Sequence, residues 1–141
     1  MSLSQIADVA ASGLLAQRLR MLVTASNLAN AQTTRTAEGG PYQRRDPVFV
    51  ARPIGGPFAD HLARRLRAVE VPRIAVDPRP GPLRHDPGHP DADPDGYVRM
   101  PNVDPVSELA NLLSASRSFE AGVFVMKKVS EMGDAALRIG R

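Results

Sequence analysis

Residues Pro105–Gly140 read PVSELANLLSASRSFEAGVFVMKKVSEMGDAALRIG. Counted at alternating spacings of three and four from Leu109, the chain meets Leu112, Ser116, Phe119, Val123, Met126, Ser130, Gly133, Leu137 and Gly140. Every one of these is apolar or small, and none is charged. Glu108, Arg117, Glu120, Lys127, Lys128, Glu131, Asp134 and Arg138 all fall off the stripe. A pattern with that period is a long heptad helix of the coiled-coil kind. Pro105 suits a first helical turn and Asp104 suits the N-cap before it. Glu108 favours the helix start through the helix dipole.

A helix of this length needs a long partner to cover its stripe. Residues 3–31, LSQIADVAASGLLAQRLRMLVTASNLANA, contain no proline and are the one intramolecular candidate. Leu3, Ala7, Ala10, Leu14, Gln17, Met21, Thr24 and Leu28 recur at helical spacing and form an uncharged face. Asn27 and Asn30 are expected to end this helix and to satisfy backbone groups at the turn. Val9, Leu15, Leu19, Leu22, Val23, Leu113, Val125 and Val129 add further apolar surface. Two helices carry more of it than one seam uses, and the excess implies helices of other chains; the plainer reading is a small helical bundle or a homodimer.

Between the helices the composition changes. Twelve of the 13 prolines lie from Pro41 to Pro101, and the last is Pro105. Tyr42–Arg52 and Val69–Asp77 read as strands, with Pro47 marking an edge or interruption and a bulge expected near Pro72. Phe58–Arg67 reads as a short helix. The proline-rich run from Pro78 to Pro90 is expected to be irregular. The resulting expectation is an α+β chain. Residues 1–31 form an N-terminal helix, residues 32–101 a loop-rich β segment with a connector at 85–101, and residues 102–141 the heptad helix.

Within the connector, HPDADPDGYVRMPNVD (His89–Asp104) begins like a calcium loop, with Asp91, Asp93 and Asp95 followed by Gly96. The twelfth position holds Asn102 where a bidentate acid is needed, and Pro87 and Pro90 forbid an entering helix. His85 and His89 beside Asp86 and Asp91 do not make a defined ligand set either. D-P and D-G pairs are turn residues, so the stretch reads as an ordered connector with no metal and no cofactor.

The net charge of +3 is spread thinly. HLARRLR at His61–Arg67 is the most basic stretch, with Asp60 and Glu70 flanking it, and reads as solvated surface with no nucleic-acid partner. There is no cysteine, which excludes thiol nucleophiles, disulfides and zinc–thiolate sites. No nucleophile–base motif, Walker loop or H-E-x-x-H occurs, so an enzyme is not expected. No apolar run is long enough to span a bilayer. The N-terminus does not read as a cleavable signal: no Lys or Arg precedes its apolar patch, and Asp8 sits at the start of that patch.

Four stretches together carry a resemblance. ASNLANAQT (Ala25–Thr33), GGPYQRRDPVF (Gly39–Phe49), PGHPDADPDGYVRMPNVD (Pro87–Asp104) and SASRSFEAGV (Ser114–Val123) are similar to segments of the bacterial flagellar basal-body rod proteins, specifically those of the proximal rod. Phe119 stands where Tyr is common in the family, and Gly122 where Asn is common; residues 52–84 match least. The resemblance implies a structural subunit exported through the flagellar type III apparatus without cleavage. It also implies a periplasmic shaft in which terminal helices pack helically, touching other rod subunits and basal-body rings. The implied assembly interface is Leu3, Leu14, Met21, Asn27, Leu28, Asn30, Leu109, Leu112, Ser116, Phe119, Val123, Met126, Gly133 and Leu137. Other readings are a different rod or hook subunit, or a small nucleic-acid- or metal-binding regulatory module.

Overall fold

The computed structural model describes residues 2–54 and 66–139. Helix α1 spans Leu3–Ala29 and helix α2 spans Pro105–Ile139. Between them lie β1 (Arg45–Pro53), β2 (Arg67–Val76), β3 (Leu83–His85) and β4 (Tyr97–Arg99). The fold is α+β: two long terminal helices pack together, and the middle holds two small antiparallel sheets. The short helix expected at Phe58–Arg67 falls mostly outside the described residues, as does most of the basic stretch from His61. Arg67 itself opens β2.

The ends of the helices follow from local chemistry. Ser2 and Gln5 form a reciprocal capping box, with the Gln5 N–H donating to Ser2 Oγ at 3.3 Å and the Ser2 N–H donating to Gln5 Oε1 at 3.0 Å. Asn30 closes α1, its backbone and side-chain N–H groups both donating to the Ser26 carbonyl. Asp104 caps α2, accepting from the Val106 and Ser107 N–H groups and from the Ser107 hydroxyl. The Ser107 hydroxyl, and then the Val106 N–H, hold the Asp104 carboxyl below the usual carboxylate range.

The residues form two compact units that do not follow chain order. The first comprises residues 1–19, 48–73 and 114–141. Among its described residues the buried side chains are Ala16, Ala115 and Val129, with Phe119, Gly122, Met126 and Gly133 half-buried along α2. Gly122 is a point of close approach. A Cβ there would sit 2.8 Å from Leu14 Cδ2, so the leucine fills the space that a side chain would occupy. Here Val48–Pro53 of β1 lies beside Arg67–Arg73 of β2, closed by the Ile54 N–H to the Leu66 carbonyl. The Val69 N–H donates to Ser12 Oγ of α1 at 3.0 Å.

The second unit comprises residues 20–47 and 74–113. Its core is Val23, Thr24, Asn27, Tyr42, Val98, Val103 and Glu108, all buried. The β3–β4 pair is antiparallel, with Leu83 opposite Arg99, Arg84 opposite Val98 and His85 opposite Tyr97. This corrects the expectation that Pro78–Pro90 is irregular throughout. Leu83–His85 is a proline-free interval just long enough for a ladder, but too short to show a period. Asp77 N–H to the Arg44 carbonyl closes the other end of the β1–β2 ribbon. Residues 44–54 thus lie against 66–77, and β2 accommodates one residue more than β1, as a bulge does.

Candidate functional site: a buried polar knot

The second unit is organised around Asn27, which is 1% exposed. Its Nδ2 donates to the Arg45 carbonyl at 2.7 Å and to Glu108 Oε2 at 3.0 Å. Its Oδ1 accepts from the Tyr42 hydroxyl and from the Arg45 N–H, both at 3.0 Å. The amide therefore uses its full complement of bonds without water. It joins the end of α1 to the segment entering β1 and to the start of α2.

Glu108 is equally buried. Its Oε1 accepts from Arg44 Nε at 2.7 Å, which leaves neither carboxylate oxygen without a donor. Burial alone lowers the affinity of Arg44 for its proton. The bonds to Glu108 and Asp46 outweigh that and raise its pKa. Arg45 lies over the Tyr42 ring at 5.6 Å, a cation–π contact that covers the knot. Arg20 Nη2 donates to Asn111 Oδ1 at 3.1 Å, a further tie between the two helices.

A second layer ties in the connector. Asn102 Oδ1 accepts from the Arg44 N–H at 2.7 Å, and its Nδ2 donates to the Asp77 carbonyl at 3.1 Å. Asn102 is thus a crosslink between chain segments. Asp91 accepts from the Thr34 hydroxyl at 2.8 Å and pairs with Arg35 Nε at 2.9 Å. Asp93 Oδ1 accepts from the Asp95 and Tyr97 N–H groups and closes the turn in which Gly96 takes φ +80°. Asp91 and Asp93 are therefore turn and clamp groups. Among the described residues no three His, Asp or Glu side chains gather into a metal cluster. On the rim, the Arg79 guanidinium lowers the Asp77 carboxyl to about 2.

The sequence-derived interface residues fall into three groups. Leu3, Leu109, Val123 and Leu137 are exposed, at 38, 49, 47 and 74%. Leu14, Met21, Leu28, Asn30, Leu112, Ser116, Phe119, Met126 and Gly133 are half-buried. Asn27 lies inside the subunit and serves the backbone of Arg45, not the turn that ends α1. Along α2 the covered line runs Glu108, Leu112, Ala115, Phe119, Gly122, Met126, Val129 and Gly133. It shares Leu112, Phe119, Met126 and Gly133 with the expected stripe, but otherwise lies one residue earlier. Sequence reasoning missed the knot roles of Tyr42, Arg44, Asn102 and Glu108. One signal was available: Glu108 stands seven residues before Ala115, in the heptad phase of Gly122 and Val129.

The knot contains no nucleophile with an adjacent base. Its arrangement is mechanical, fixing the base of two helices. The comparisons with known proteins agree with that character. Residues 8–35 match the family described as flagella basal body rod protein, and residues 95–139 match the C-terminal family of flagellar basal body rod FlgEFG proteins. The class is thus a flagellar rod protein, and both terminal helices carry its marks.

The relatives narrow this further. The chain is 41% identical to the flagellar basal-body rod protein FlgC of Borreliella burgdorferi, covering 99% of this chain and 98% of that one. It is 39% identical to FlgC of Salmonella typhimurium over the full length of both. It is also 39% identical to FlgC of Bacillus subtilis, covering 95% of each. The chain belongs to the FlgC family of flagellar basal-body rod proteins. It is a structural rod subunit and not an enzyme. No helix among the described residues is long and apolar enough to cross a membrane.

Proposed function

We propose that the subunit polymerises helically through the outer faces of α1 and α2, helping to form the torque-transmitting shaft of the proximal rod. The observation that carries this reading is the apolar surface the helices leave uncovered. Leu15 and Leu22 of α1 are 65 and 59% exposed, and Leu109, Leu113, Val123, Phe124 and Leu137 of α2 range from 47 to 74%. Large apolar side chains at that density on two helices call for other helices against them. An open helical assembly uses heterologous contacts, in which one surface meets a different one on the next copy or on another rod subunit.

In this reading Leu3, Leu109, Val123 and Leu137 meet neighbours directly. Met21, Leu28 and Ser116 flank the same faces, while Leu14, Leu112, Phe119, Met126 and Gly133, on the covered side, hold those faces in position. Asn27 and Asn30 act from behind by fixing the direction in which α1 leaves the knot. Export through the type III apparatus, assembly in the periplasm without signal cleavage, and contact with basal-body rings complete the proposal. The absence of cysteine supports an oxidising destination, where a stray thiol is a liability.

The test compares a charge on the outer face of α2 with one on its covered line. Val123→Asp places a carboxylate on the outer face and is expected to leave the chain folded while abolishing swimming. Val129→Asp places one at a site only 8% exposed and is expected to unfold the chain. Normal swimming by both Val123→Asp and Leu109→Asp overturns the outer-face assignment.

A further inference from the structure

We propose that His89 is a proton-controlled latch on the loop from Asp86 to Tyr97. The His89 carbonyl accepts from the Ala92 N–H at 3.0 Å, which makes His89–Ala92 a β-turn with Pro90 in its second position. In such turns an Asp or Asn side chain often accepts from the backbone N–H two residues on. Here an imidazole takes the place of that side chain, and His89 Nδ1 accepts from the Asp91 N–H at 3.0 Å. An asparagine oxygen accepts at every pH. An imidazole nitrogen accepts only while it is unprotonated.

The bond sits where its loss would be transmitted. Asp91, whose N–H it holds, is the residue whose carboxylate grips Thr34 and Arg35. When Nδ1 gains a proton, two N–H groups face each other across the turn and the imidazolium must swing away. The backbone N–H of His89 donates to the Asp86 carbonyl at 3.1 Å, so the turn stays tied to Asp86 while the ring moves. Asp86 is also paired with Arg84. Loss of the turn bond lets Asp91 shift and weakens its hold on Arg35, in the hollow that Arg99 also lines. His85, the other imidazole of this region, stacks edge-on against Tyr97 at 5.0 Å and has no part in the turn.

Imidazole is the side chain that ordinarily changes charge between about pH 5 and 8. The loop is therefore closed with His89 neutral and opens on acidification, releasing the connector from the segment that follows α1. The experiment follows the full-length chain by NMR from pH 8 to 5, recording the His89 ring titration and the protection factor of the Asp91 amide. Protection is expected to fall about tenfold or more in step with the His89 titration. His89→Asn keeps the turn acceptor and is expected to hold that protection flat over the same range. Protection that stays constant in the wild-type chain while His89 titrates overturns the proposal, and that measurement needs no variant. An equal fall in His89→Asn also overturns it.

Discussion

Removal of the Asn27 amide is the sharpest probe of the knot. In Asn27→Ala the Arg45 N–H and carbonyl, the Tyr42 hydroxyl and Glu108 Oε2 all lose their partner at once. A buried polar group left without a bond costs about 1–3 kcal/mol. Water entering the vacated volume re-satisfies some of the four. If two stay unpaired, the loss is about 2–6 kcal/mol, a large share of the roughly 5–15 kcal/mol that keeps a domain folded. With a urea slope of about 2 kcal/mol per molar, the unfolding midpoint drops by about 1–3 M. Asn27→Asp sharpens the test, because the side chain keeps its shape. It still accepts from Tyr42 and Arg45, but it places a carboxylate oxygen where an N–H now meets Glu108. That variant should be about as unstable as Asn27→Ala at neutral pH. It should recover partly as pH falls and the paired acids share a proton. Asn30→Ala serves as the control, since Asn30 makes only solvent-accessible or partly buried bonds, and should cost about 1 kcal/mol or less. A loss below about 1 kcal/mol for Asn27→Ala, or one matched by Asn30→Ala, refutes the knot as the organiser of this unit.

Gly81 carries a different constraint, because a Cβ there would collide with the Met100 carbonyl oxygen. Gly81→Ala should therefore destabilise by about 3 kcal/mol or more in thermal melts, whereas Gly133→Ala, with open space around it, should stabilise by about 1 kcal/mol. At Gly122 the helix-propensity gain of alanine, about 1 kcal/mol, is opposed by the crowding of Leu14. Gly122→Ala should thus be near neutral in the native chain but stabilising in a Leu14→Ala background, as a double-mutant cycle in urea will show. Asp104 has a lowered pKa in the folded chain. Its contribution is complete above the unfolded carboxylate value near 4 and is lost as pH falls through the lower folded value. Asp104→Asn should remove that part of the acid dependence below about pH 4 in melts.

The helices were legible because their signals are local. A proline-free run, an uncharged stripe and an Asp-Pro start place α2 at Pro105, and Asn30 closes α1. The phase of the seam was less legible for a physical reason. Close helix approach favours small residues at the contact, here Ala115, Gly122 and Ala16, while a hydrophobic count gives weight to bulk. Leu109, Val123 and Leu137 are the bulkier choice and lie on the outer side. The knot was hidden more deeply. Glu108 meets Arg44 and Asn27 across long stretches of chain, and charged residues in a first helical turn ordinarily face water. The aspartate run shows the opposite case: its resemblance to a calcium loop is real at the level of spacing. Asp91 and Asp93 are nevertheless occupied by Thr34, Arg35 and the turn's own N–H groups.

The central claim is that this chain is built into the rod. Hook–basal bodies isolated from motile cells, washed with detergent and salt and analysed by mass spectrometry, test it directly. This chain is expected to be enriched there together with other rod subunits. Its absence from otherwise complete particles would contradict the claim.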